Sequence, residues 1–524
     1  MSNKLPSSSC TLSRRSLLRA GAIGAGVLAL PLWPRRVRAD LRPDRRARRL
    51  LVINLLGGVR SSACFHASPG SEDHNPWGVI QGTGTEFALG KLLDDFLDRA
   101  TPTGRPESPL PDEAYRLLPT GGWRGARVPR LRELAPRMSV VGTWNADRGD
   151  HIRSQQEETT GAPGFGEPGL LTRVALGLER ALPPAAREIP GFHVSAFTAF
   201  GQAPGDLAPS APVRLQGPAG LPSELQLPPE ALALVGRDFA PDDATRDRLD
   251  QRRLAGVRGH GKTLAETYAG HRKALRLVGA RLSAPWVNVG NADPSFRMAE
   301  QGAVTLPGGE RVPLTNEMLR ELMLRALGPD PDDPGLSRPL TDPTQHPHYA
   351  SAENAALAVR LLQLGSPAAA LEIQSFDFHS AERRDGPTLY RFLGRLLASL
   401  HFLLSQLEDP AVPGTSMLEH TLVVTTSDFG RDPGRIRGFN AGEGSDHGAS
   451  PACYFLGHLV FGAGVVAGRL LGRASTDTYD ARSEPLRQHP RQLLATLLWS
   501  LGLPHRDELF GFPDVSEPIR GLWT

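Results

Sequence analysis

Cysteine is nearly absent from this 524-residue chain, which holds three. Cys10 lies in the N-terminal segment discussed below, so Cys64 and Cys453 leave room for at most one disulfide, a pairing that sequence does not decide. No sustained basic run with interleaved aromatics occurs beyond Arg49, which argues against nucleic acid as a partner. No G-x-S-x-G nucleophile elbow occurs, which argues against a serine hydrolase of the α/β-hydrolase type. Apart from Ala20 to Trp33 there is no long apolar stretch, and that one is too short and too Gly-rich to span a bilayer well, so no stable membrane span is expected. There is no internal repeat.

Ala20 to Trp33 belongs to a recognisable leader. Ser13-Arg14-Arg15-Ser16-Leu17-Leu18 is a twin-arginine pattern, the apolar run follows, and Val37-Arg38-Ala39 offers a small-residue cleavage context before Asp40. Residues 1–39 are therefore expected to be an export signal, with the twin-arginine translocase as partner and a periplasmic or secreted destination. The formal charge of the whole chain is +3. Lys4, Arg14, Arg15, Arg19, Arg35, Arg36 and Arg38 leave with the signal and no acid does, so the remainder, 40–524, is net acidic.

The chemistry concentrates in Thr421 to Gly448, where the β-branched run TLVVTTS reads as a buried strand and Asp428, Arg431, Asp446 and His447 follow at once. Ligands in open α/β sheets bind beyond the carboxyl ends of strands, so this grouping suggests a metal or oxyanion site. The pattern recurs upstream, where LEIQSF ends in Asp377 and His379. Pro387 to Leu407, between the two, has apolar residues at helical spacing and the length to cross back over a sheet. Strand, crossover helix and strand form a parallel unit with both carboxylate-bearing ends on one side.

Other elements fit this scheme. Leu50 to Leu56 is a continuous apolar run of the central parallel type, and Gly57-Gly58 turns the chain into Arg60, Ser61, Ser62 and His66. Met138 to Trp144 reads as another strand. Beyond it lie Asn145, Asp147, Asp150, His151 and Gln155; His151 is within reach of the site, although a lone loop histidine is more often plain surface. Ala352 to Leu364 and Gln492 to Leu501 read as helices and Ala452 to Leu456 as a strand. The stretch 199–345 reads as an irregular insertion or cap. Within it, Gly256 to Thr263 matches a phosphate-binding loop by letters alone, but the preceding RDRLDQRRLA is a solvated helix pattern rather than the buried strand that motif needs.

Taken together, the leader, Gly57-Gly58, Asp377-Phe378-His379, Ser427-Asp428-Phe429-Gly430-Arg431, Ser445-Asp446-His447-Gly448 and Gly462-Ala463-Gly464 resemble the exported domain of unknown function 1501 family. That family is similar to the alkaline phosphatase and sulfatase superfamily. The resemblance implies an α/β fold, a mostly parallel sheet with helices on both faces and metal ligands on loops at strand ends. It implies that Asp377, His379, Asp428, Asp446 and His447 hold a divalent metal, with Asp428 in the place of the family's glutamate. Carboxylate and imidazole together suit zinc first, with calcium or manganese as alternatives. Arg431 would face the charge of a phosphate or sulfate.

The expected function is an exported metal-dependent hydrolase acting on a small anionic ester or an envelope polymer. Its rival is a catalytically silent relative with a binding or envelope-structural role. Relatives often carry an acid after the glycine pair, whereas Arg60, Ser61 and Ser62 stand here. Ser61 and Ser62 are thus the nucleophile candidates, and Arg60 is expected to oppose a second cation, leaving at most one tightly bound metal.

Overall fold

The structure, a computed structural model, describes residues 45–67, 77–80, 83–95, 128–144, 150–162, 166–181, 192–194, 200, 202, 213–215, 303–305, 311–313, 316–328, 345–363, 366–409, 411–431, 454–472 and 488–523. The leader, the phosphate-loop-like Gly256 to Thr263, Asp446, His447 and Cys453 lie outside them.

Hydrophobic runs build the centre. Arg49–Leu55 (β1) is buried at every position, as a strand covered on both faces must be. Around it an eight-stranded sheet assembles from Met138–Trp144 (β2), Phe192–Val194 (β3), Val213–Leu215 (β4), Ala368–Ile373 (β5), Thr421–Ser427 (β6), Phe455–Phe461 (β7) and Leu470–Leu471 (β8). Their order is β8-β2-β7-β6-β1-β5-β3-β4. β1 pairs in parallel with both β5 and β6, and β5, β3 and β4 continue the parallel run. β7 alone is reversed, pairing antiparallel with β6 and β2. The carboxyl ends of β2, β6, β1 and β5 consequently share one edge, as an α/β fold with a mostly parallel sheet requires.

Helices cover both faces. Side-chain alternation sends Leu51, Ile53 and Leu55 into one core with Tyr349–Gln363 and Glu382–Gln406, and Leu50 and Val52 into the other with Leu170–Ala181 and Pro490–Ser500. Among the described residues the helices of ten residues or more are, in chain order, α1 (His151–Thr160), α2 (Leu170–Ala181), α3 (Asn316–Arg325), α4 (Tyr349–Gln363), α5 (Glu382–Gln406) and α6 (Pro490–Ser500). The amino end of β1 is tied by a buried ion pair in which Arg49 Nη1 and Nη2 donate to Asp409 at 2.8 and 2.9 Å.

Three elements differ from their sequence outlines. The crossover helix α5 begins at Glu382, five residues ahead of Pro387, because the buried Glu382 side chain is held by Arg60 and by Tyr390 of the next turns. β7 runs over Phe455–Phe461, sharing Phe455 and Leu456 with the expected Ala452 to Leu456 and extending beyond it. Its polar member His458 is accommodated by Thr143 at 2.7 Å and by Thr425 O at 2.9 Å. Part of the stretch read as a cap joins the main fold: Val213–Leu215 is one of the two edge strands of the sheet, and Leu319, Leu322 and Met323 of α3 are fully buried.

Candidate functional site

Four strand ends deliver the site. β1 ends in Gly57-Gly58, β5 in the loop to Asp377 and His379, β6 in Asp428 to Arg431, and β2 is followed by Asp150 and α1. The loops are laced by backbone bonds: Phe376 N–H donates to Leu56 O at 3.1 Å, Val59 N–H to Phe429 O at 3.0 Å, and Arg431 N–H to Val59 O at 3.2 Å. Gly57 is needed where it stands. Its φ is 115°, and a Cβ there would lie 2.5 Å from Asp377 N.

His151 opens α1. Asp150 caps this helix, its side chain accepting Arg153 N–H at 2.9 Å, so the His151 ring leaves from the first turn of a fixed element. His151 Nδ1–H donates to Asp428 Oδ2 at 2.9 Å, and the same oxygen accepts Gly57 N–H at 3.1 Å. His151 Nε2 then lies 3.5 Å from Asp377 Oδ1, and His379 Nε2 lies 3.2 Å from that oxygen. Ligand atoms of His151, Asp377 and His379 all lie within 4.8 Å of one another, the one such group among the described residues. One carboxylate and two imidazoles at this spacing fit a divalent cation of the zinc class.

Exposure divides the site in two. The Asp377 and His379 side chains are 48% and 49% exposed and His151 34%, whereas Asp428 is 1% exposed. Burial raises the Asp428 carboxyl above its usual range against the pull of the His151 hydrogen bond. The same hydrogen bond raises His151, burial opposing it. Burial also pushes Asp377 upward, but the hydrogen bond and charge of Arg431 outweigh it, and Asp377 is held below the usual carboxylate range.

Arg431 is 2% exposed. Its Nη2 donates to Asp377 Oδ1 and Gly57 O, and its Nε to Gly58 O at 3.1 Å. The arginine read as facing a phosphate or sulfate therefore orients Asp377 and the β1 loop. Ser61 and Ser62 sit in a buried turn, 5% and 4% exposed, and Ser61 Oγ accepts Gly457 N–H of β7 at 3.3 Å. Arg60 also points away from an exposed role. It forms a fully buried bidentate pair with Glu382, so its charge is neutralised rather than set against a cation. Cys64 is a free thiol at 0% exposure, and burial raises it well above its ordinary pKa.

His151 is the residue that sequence reasoning undervalued. α1 reads HIRSQQEETT, polar on every side, yet Ser154 to Thr160 are buried. Polar contacts hold it: Thr426 Oγ1 donates to Glu158 Oε2 at 3.3 Å, and His489 Nε2 lies 3.3 Å from Glu157 Oε1. The available signal was position, an Asp-His step at a helix start just after a strand that shares the site's edge.

Residues 321–521 match the family model described as Protein of unknown function (DUF1501). The matched segment carries Asp377, His379, Asp428 and Arg431, together with Asp446 and His447, and ends after α6. Gly57 and His151 lie ahead of it, so the cluster joins matched and unmatched parts of the chain. No curated protein matches the chain.

Proposed function

We propose that this chain is an exported, metal-dependent hydrolase of phosphate or sulfate esters, related to the alkaline phosphatase and sulfatase superfamily. The observation that carries the reading is the half-exposed His151–Asp377–His379 group at the carboxyl edge of a parallel sheet. His151 Nε2, Asp377 Oδ1 and His379 Nε2 would hold the cation, zinc first among the candidates with calcium and manganese as alternatives.

A divalent cation, if held there, would supply Lewis acidity towards an ester oxygen and a water molecule. Arg431 keeps the Asp377 carboxylate ionised and fixed. The buried Asp428 keeps a proton on His151 Nδ1. Ser61 and Ser62, buried and in Ser61's case already engaged by a backbone N–H, are weak nucleophile candidates, so water is the attacking group in this reading.

Elemental analysis of the purified chain, followed by assays on aryl phosphates and aryl sulfates with zinc, manganese or calcium, tests it. About one equivalent of metal, lost in Asp377→Ala together with turnover, is the expected result. Turnover that survives Asp377→Ala would refute this site, and metal binding without turnover on any ester would favour the silent relative. The buried state of Arg431 and of both serines is what speaks for that second reading. Export is tested separately: Arg14→Lys with Arg15→Lys should strand the precursor in the cytoplasm, because the pair is read by a receptor rather than as bulk charge. Normal secretion of that double mutant would overturn the localisation.

A further inference from the structure

We propose that Asp428 is a positioning residue that acts through His151 and is not itself a metal ligand. The inference rests on the metal-site reading above and departs from the role that the family motif implies for this position. Asp428 Oδ2 accepts two hydrogen bonds, from His151 Nδ1–H at 2.9 Å and from Gly57 N–H at 3.1 Å. The first fixes the tautomer: with the proton on Nδ1, Nε2 keeps its lone pair and lies on the Asp377 side, 3.5 Å from Oδ1. The second ties the carboxylate to the β1 loop, so the acceptor does not follow the ring if the ring turns.

Packing completes the hold. The Phe429 ring lies 4.7 Å from the His151 ring, centroid to centroid, and the capped start of α1 fixes the His151 backbone. Asp428 stands apart from the three clustered ligand atoms, and at 1% exposure it lies below the half-exposed surface that Asp377 and His379 present. A buried carboxylate that accepts the far N–H of a ligating histidine is the outer partner that orients such ligands and raises their basicity. Asp428 Oδ1 has no hydrogen-bond partner among the described residues, and it is the atom that direct ligation would have to use.

A double-mutant cycle separates the two roles. Zinc and cobalt affinity is measured by competition titration for the wild type, Asp428→Asn, His151→Ala and the double mutant. Asp428→Asn is nearly isosteric and should weaken binding about 10- to 100-fold with unchanged stoichiometry. In the His151→Ala background the same change should cost less than about 3-fold, because there is no ring left to orient. An equal loss in both backgrounds would make Asp428 a ligand and overturn the proposal.

A second readout needs no metal. In protein labelled with 15N-histidine and assigned through His151→Gln, neutral His151 should carry its proton on Nδ1, and Asp428→Ala should release it to the other tautomer. A wild-type His151 protonated on Nε2 would overturn the proposal whatever the titrations give. A wild type that binds no metal but shows the Nδ1–H tautomer would remove the metal-site reading while leaving the Asp428–His151 pairing in place.

Discussion

Removing Arg60 offers the sharpest test of how the site is supported, because the sequence and the structure give this residue opposite roles. As a free guanidinium after the glycine pair it would repel a cation. In the structure it is among the largest fully buried side chains of the described residues, its Nε and Nη2 donating to Glu382 at 2.9 and 2.6 Å, while Tyr390 OH donates to the same carboxylate at 2.9 Å. Opposite charges about 4 Å apart attract by about 4 kcal/mol at an effective dielectric of 20. Removing one partner of a buried pair leaves the other uncompensated and costs about 3–5 kcal/mol. Arg60→Met should therefore move the midpoint of urea unfolding down by about 1–1.7 M at a slope of about 3 kcal/mol per M. The double variant Arg60→Met with Glu382→Leu should recover most of the loss, since replacing both charges with apolar groups is often neutral. Metal stoichiometry should not rise in either. A single variant within about 1 kcal/mol of the wild type, or a double variant as unstable as the two singles together, would refute the reasoning.

Two further outcomes follow from particular contacts. Gly57→Ala forces a Cβ to 2.5 Å from Asp377 N at a φ of 115°; it should lower stability by about 1–3 kcal/mol and weaken metal binding on the order of 10-fold. Gly464→Ala, also at positive φ but with nothing within 4 Å of its Cβ, is the control that should share the strain and spare the metal. Burial lowers His346 to about 4 and His348 to about 3, so between these values and an unfolded value of about 6.5 the unfolded chain binds more protons than the folded one. Stability must then fall as pH drops, by about 1.6 kcal/mol per histidine between pH 6.5 and 5, and His348→Gln should flatten its share of that slope in urea titrations at several pH values.

The sheet's centre was legible because its strands are continuous apolar runs closed by chemistry: LLVINLL before the glycine pair, MSVVGTW, and TLVVTTS before Asp428. Strand ends on one edge then made the convergence of Asp377, His379, Asp428 and Arg431 readable in outline. What sequence withheld is direction and burial. Arg431 carries the same letters whether it faces a substrate or Gly57 O, and only the fold turns it inward. His151 was hidden for another reason. A helix with no apolar face reads as solvated, and α1 is buried through polar partners contributed by Thr426 and His489, far away in sequence. Asp446 and His447, the remaining motif residues, lie outside the described residues.

Charge balance bears on the anionic ester proposed above as the substrate. Asp377 and Asp428 bring two negative charges when ionised, Arg431 returns one positive, and two neutral imidazoles add none. A single divalent cation would turn this remainder of one negative charge into one positive. That positive charge would lie at the half-exposed Asp377 and His379, where a phosphate or sulfate can arrive, with the neutralising Arg431 buried behind. A second divalent cation would need another carboxylate; among the described residues, Glu382 at the start of α5 is buried and already paired with Arg60. One cation, a buried arginine and an oriented histidine are therefore mutually consistent, and each constrains what the others can do.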